Sequence, residues 1–200
     1  MRLNWQAERQ SDLPFLYWLE IMPALKTIVA NLDRAQRGLL RAADEVPANQ
    51  WKTRPGEGRW SAGEVIGHLI TIERTILHNL DKVVQKPPKS VPFYKRFHVP
   101  LAVVESRLIR RKTPIVTDDG MICGKEEMLS ELQEVRKRTL GFIGETMERD
   151  LGKYLMPHPF LGTLNAYSWL HLIAAHEVRH TKQMKEIGCA LLKVVAIFQI

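Results

Sequence analysis

Two hundred residues, 45% hydrophobic and 26% charged, suit one globular domain with a real core and exclude fibrous and low-complexity classes. No segment approaches the ~20 apolar residues of a membrane span, and Arg2, Glu8, Arg9, Asp12 and Glu20 break up any secretory leader. Cys123 and Cys189 make no disulfide framework and no C-x-x-C pair, so a reducing cytoplasm is the expected location. The net charge of +7 is uneven: residues 81–112 hold nine Lys or Arg against Asp81 and Glu105, which is the whole excess. Such a run reads first as a solvated surface; as a binding patch it would suit nucleic acid, a membrane surface or a small anion.

The first helical pattern runs from about Leu16 to about Glu45, through Leu16, Leu19, Leu25, Val29, Leu32, Leu39 and Leu40. Pro23 is expected to kink it or to mark its true start. "VPANQWKTRPGEGRW" (46–60) reads as a loop, with two prolines, two glycines and two tryptophans. The second helix has a clear start. Ser61 and Glu64 fit a capping box, and Val65, Leu69, Ile72, Ile76 and Leu80 then form an apolar stripe. It stops before "KPPKS".

Residues 86–124 are the least regular; a short helix near 101–112 and an extended run with a turn at Asp119-Gly120 are expected there. A third helix is predicted over about 125–149, through Met128, Leu132, Val135, Leu140 and Ile143. "YLMPHPFLGTLN" (154–165) reads as another loop. The fourth helix is expected from about Asn165 to Ile187, ended by Gly188. The tail "CALLKVVAIFQI" (189–200) is apolar and too short to span a membrane. It fits a groove of the bundle or a second copy of the chain, and a homodimer is retained as an expectation. Four long helices without a convincing set of strands predict one all-α domain over 1–200, a four-helix bundle with its core in 15–187.

"HEVRH" (176–180) carries the chemistry. His176 and His180 stand one turn apart on one helical face, so both rings can reach one ion. Trp169, Leu172, Ile173, Met184 and Ile187 share that face, which turns it inward. Two unpartnered buried histidines would be costly. A shared metal removes the cost; a pair of core histidines bonded to other groups does so too. Spelled H-E-x-x-H, the stretch matches a zinc-protease signature, but the third ligand is missing downstream. Gln183 and Glu186 occupy the glycine and histidine positions of the extended motif, and Glu186 is the sole acid after His180. A third ligand must therefore lie upstream, among His68, His78, His98, His158 and His171. His68 is the best placed, on the inward stripe of the second helix. Glu177 has two readings: a base toward a metal-bound group, or a salt-bridge partner for a neighbouring helix. Glu64 stands one turn before His68, where it can orient the ring or serve the cap. Trp60 and Trp169 read as core rather than as substrate platforms.

"GRWSAGEVIGHLITIER" (58–74) resembles the second-helix motif of the DinB/YfiT-like superfamily, a tryptophan-serine start leading to E-x-x-x-H-L. "PFLGTLNAYSWLHLIAAHEVRHTKQMKEI" (159–187) resembles that family's last-helix motif, H-E-x-R-H-x-x-Q. The resemblance implies a four-helix bundle with a long connection between its second and third helices. It implies a divalent metal, zinc or nickel, held by His68, His176 and His180. It also implies a metal-dependent thiol S-transferase or isomerase that uses a low-molecular-weight thiol, with a small thiol or anionic molecule as partner. The basic 81–112 segment would then hold the acidic groups of that thiol. The alternatives are a non-catalytic stress or binding protein whose ion staples the bundle and, more remotely, a metal-dependent hydrolase. Nucleic acid is not an expected partner, because the basic residues are not interleaved with aromatics as a stacking platform.

Overall fold

The computed structural model describes residues 23–89 and 123–197. Four long helices dominate: α1 (Pro23–Asp44), α2 (Ala62–Val84), α3 (Lys125–Thr146) and α4 (Ala166–Ile197). A two-stranded antiparallel hairpin, β1 (Leu155–His158) and β2 (Gly162–Asn165), precedes α4. The four-helix bundle read from the sequence is the observed fold. The short helix expected near 101–112 and the turn at 119–120 lie outside the described residues, as do residues 16–22 of the first helix. Among the described residues no helix is long and apolar enough to cross a membrane.

The start of α2 forms as its sequence dictates. The Ser61 hydroxyl accepts from the Glu64 backbone N–H at 3.2 Å, and the Glu64 carboxylate accepts from the Ser61 N–H at 2.7 Å. The preceding loop is anchored by Trp51, which is buried and donates its indole N–H to the Met128 sulfur. The Trp51 carbonyl accepts from the Gly63 N–H, so the loop and the first turn of α2 are locked together.

The core consists of two apolar clusters. One joins Leu25, Ile28 and Leu32 of α1 to Ile76 and Leu80 of α2, Phe142 and Ile143 of α3, and Trp169 and Ile173 of α4. The other joins Leu39 and Ala43 of α1 to Val65 and Ile66 of α2, Met128 and Leu132 of α3, and Met184 and Ile187 of α4. The order in which each helix meets them fixes the chain directions. α1 and α4 run from the first cluster to the second, whereas α2 and α3 run from the second to the first. α2 and α3 pack together as parallel neighbours, and so do α1 and α4. Parallel neighbours cannot be joined by a tight turn, which is why a long connection, 85–124, must carry the chain back between α2 and α3. Antiparallel α2 and α4 meet along a thinner seam, and α3 and α4 lie on a diagonal.

The structure departs from the expected elements in three places. The 154–165 stretch is a hairpin, not a loop. Leu155 pairs with Asn165 and His158 with Gly162, leaving a three-residue connection. Gly162 has φ 74°, a left-handed conformation that glycine adopts without a Cβ penalty. The fourth helix does not end at Gly188 but continues to Ile197. Gly188 is buried, and a Cβ built there would touch the Val46 side chain at 3.8 Å. Packing against the α1 end carries the helix through a residue that disfavours it by roughly 1 kcal/mol. The third helix closes slightly earlier than expected, at Thr146.

Candidate metal centre

His68 comes from α2, and His176 and His180 from α4. All three face the seam between those helices, where the two apolar clusters give way to polar side chains. The His68 and His176 Nε2 atoms are 3.4 Å apart, and those of His176 and His180 are 3.1 Å apart. One nitrogen from each ring falls within a set spanning 4.8 Å, and this is the single such cluster of His, Cys, Asp or Glu found among the described residues. His68 and His180 are buried and His176 is partly buried.

Burial keeps the rings neutral. It pulls the His68 pKa down to about 4. It pulls the His176 pKa to about 3, helped by His68, Arg179 and His158. The His180 pKa also lies well below its ordinary value, through burial and then the neighbouring histidines. A neutral imidazole nitrogen carries either one proton or one lone pair. His180 Nδ1 lies 3.0 Å from the Gln183 side-chain oxygen, so it donates there, and its Nε2 is left with the lone pair. His176 Nε2 then faces two nitrogens with a single proton or lone pair to offer. Hydrogen bonding satisfies at most one of these contacts. A shared cation satisfies all three, because two nitrogens about 2.0–2.1 Å from one tetrahedral ion stand about 3.3 Å apart. Donor type, separation and neutrality therefore fit a divalent metal.

The surroundings were partly legible. Gln183, the last residue of H-E-x-x-H-x-x-Q, supplies the outer hydrogen bond that metal-binding histidines ordinarily have. His68 Nδ1 is buried with no partner. Glu64 does not orient it, since its carboxylate is engaged by the Ser61 N–H and by Arg54. Trp169 is core, as expected: it is buried and donates to the Met156 carbonyl. Trp60 is different. It is partly buried, with its ring 5.0 Å from that of His68 and stacked nearly parallel to that of His180 at 6.1 Å, so it walls one side of the triad. Its place directly before the Ser61 cap was the available signal.

The remaining histidines are elsewhere. His78 is exposed on α2, and His98 lies outside the described residues. His158 accepts from the backbone N–H groups of Phe160 and Leu161 through Nδ1 and so holds the hairpin turn. His171 lines a separate cavity between α1 and α4, with Asn31 and Arg34. Glu186 is exposed and lies 3.9 Å from Arg59.

Glu177 points into the core. It is 2% exposed and accepts from Arg136 Nη2 at 2.9 Å. Burial pushes its pKa up to about 7 against the pull of Arg136. Arg136 also binds both oxygens of Glu73, at 2.9 and 3.1 Å, and Thr139 donates to Glu73 at 2.7 Å. Burial alone would lower the arginine pKa, but the charge of Glu177 and the bond to Glu73 outweigh it and raise it. No sequence pattern pointed to Arg136, which stands in the charged run "EVRKR" and reads as a surface residue.

The fold and the site together define a four-helix bundle of parallel pairs with a three-histidine centre on one antiparallel seam. The model of the DinB superfamily matches residues 31–184, and the chain belongs to that superfamily. It is 33% identical over 136 residues to the uncharacterized protein YuaE of Bacillus subtilis, covering 67% of this chain and 80% of that one. Two solved structures share the fold. TT2238, a four-helix bundle protein, aligns with a TM-score of 0.52 at 21% identity, covering 80% of this chain and 98% of the other. YfiT from Bacillus subtilis, described as a "probable metal-dependent hydrolase with an unusual four-helix bundle topology", aligns with a TM-score of 0.54 at 15% identity, covering 93% and 91%.

Proposed function

We propose that this chain is a divalent-metal-dependent enzyme whose centre is His68, His176 and His180, and that it activates a low-molecular-weight thiol for transfer or isomerisation. The convergence of three neutral Nε2 atoms at 3.1 and 3.4 Å carries the reading. Three protein ligands are the number used by catalytic sites, which keep a position open, whereas structural sites close all four. An ion held there would lower the pKa of a thiol or water at that open position.

The chain's own residues supply the rest. Burial keeps all three imidazoles uncharged at neutral pH, so each can offer a lone pair to an ion. Gln183 fixes the His180 tautomer with Nε2 facing inward. Trp60 narrows the approach on the side of His68 and His180. Glu177, tied to Arg136, serves the framework rather than acting as a base. The basic residues of 81–112 are the candidate partners for the acidic groups of the thiol.

Hydrolysis is the second reading, favoured by the fold shared with YfiT. The same centre would then activate water. Elemental analysis of the purified protein followed by thiol titration of its cobalt form tests both. Stoichiometric metal and a new thiolate-to-cobalt absorption band support the thiol reading. Metal without that band favours water as the bound group, and a metal-free protein at neutral pH overturns both. His68→Ala separates an open centre from a staple. Loss of metal with the fold intact is expected here, whereas unfolding would show that the ion holds the bundle together.

A further inference from the structure

Arg136 is 2% exposed in the interior of α3, and arginine is almost never so buried without partners. Its donors reach the three other helices. Nη1 donates to the Leu32 carbonyl of α1 at 2.7 Å, Nε and Nη2 to Glu73 of α2, and Nη2 to Glu177 of α4. α3 and α4 lie on a diagonal of the bundle, so this side chain spans a gap that backbone packing leaves open.

The two acids it binds are placed beside the metal ligands. Glu177 follows His176 directly. Glu73 is five residues past His68, or about 7.5 Å along α2 at 1.5 Å per residue. Both line a small cavity with Leu69, Ile72, Ile173 and His176, on the seam that brings His68 to the α4 pair. That seam is thinner than the α1–α4 and α2–α3 interfaces. Something other than extensive apolar packing must therefore set the spacing and rotation of α2 against α4. Ligand sets require placement to within about 0.5 Å.

We infer that Arg136 is a positioning residue for the three-histidine centre: by clamping Glu73 and Glu177 together, it sets how α2 faces α4 and so brings His68 Nε2 to His176 and His180. The inference rests on the reading of the triad as a metal site. It assigns Glu177 to the clamp, in place of the base role that H-E-x-x-H suggests. Arg136 itself touches none of the three histidines through any of its hydrogen bonds. Its influence passes through two carboxylates.

The test is cobalt titration of the full chain, reading affinity and the visible absorption of the bound ion, with far-UV circular dichroism to establish folding. Arg136→Met is expected to weaken cobalt binding by about 10- to 100-fold, the range for outer-shell changes, and to shift the absorption bands. Arg136→Lys, which keeps the charge but not the two-pronged grip, is expected to recover part of the loss. Glu73→Gln removes one side of the clamp while retaining a hydrogen-bonding group, and it carries the test if Arg136→Met does not fold. Its expected effect is a weakening in the same direction. A salt bridge that serves stability alone would lower the melting temperature and leave the affinity and spectrum of the folded variants at wild-type values. That result overturns the inference while sparing the metal reading. Failure of the wild-type protein to bind cobalt would remove both.

Discussion

The two apolar clusters and the polar belt between them follow opposite rules. In the clusters, Leu, Ile, Val and Phe meet across the helices without needing particular angles, and their contribution scales with the area they bury. In the belt, His68, Glu73, Arg136, Thr139, Glu177 and His180 are all buried, and each has groups that must be matched. The belt interrupts the clusters: on α2 His68 sits among the last residues of the second cluster and Glu73 between Ile70 and Ile76, on α3 Arg136 and Thr139 lie between Val135 and Phe142, and on α4 Glu177 and His180 lie between Ala174 and Met184. The lesson is a division of labour. The ends of the bundle hold it together, and its middle holds polar chemistry that the ends make affordable.

Four substitutions or conditions probe that division. The largest effect is expected from Leu132→Ala, in a fully buried position of the second cluster. It should cost about 2–5 kcal/mol in denaturant unfolding and leave metal affinity unchanged; a loss of affinity as large as that of a belt substitution would erase the distinction. Acid comes next. The unfolded chain takes up protons on histidine below about pH 6.5, while folded His68 resists until about pH 4 and His176 until about pH 3. The unfolded state thus binds more protons across that window, and the metal-free protein should lose stability as pH falls from 6.5 toward 3. Chemical denaturation at stepped pH checks this, and His68→Ala should flatten the dependence.

Smaller effects sharpen the outer edge of the belt. Gln183→Ala removes the acceptor that orients His180 and should weaken zinc binding by roughly 10-fold, read by competition with a chelating dye, with little change in melting temperature. Ser61→Ala removes a helix cap on the cluster side of the site and should cost about 1 kcal/mol, with zinc affinity held within a few-fold. Were Ser61→Ala to match Gln183→Ala in lost affinity, the cap would belong to the site rather than to the framework.

Features that depend on neighbours in the chain were legible before any fold was known. The Ser61–Glu64 capping box needs four consecutive residues. The His176–His180 pair needs one helical turn, and the inward stripe around it needs only helical periodicity. His68 could be singled out because its own stripe had to face something. The hairpin escaped notice because its strands are four residues long and carry no alternating pattern; pairing with each other, and the left-handed Gly162, make them strands. Gly188 was misleading for the opposite reason. Its local preference to end a helix is weaker than the burial of Ile187 and Leu191 with Val46 in the second cluster, which carries α4 onward.

The sequence by itself determined that this chain forms four helices, where α2 starts, and that two histidines share an inward face, because each of these is set within a turn or two of backbone. Only the tertiary structure decided the parallel pairing of α1 with α4 and of α2 with α3, the convergence of His68 on the α4 pair, and the burial of Arg136 between two acids. These depend on which helices become neighbours, and that choice is made by packing energy summed over the whole bundle, which no short stretch of sequence contains.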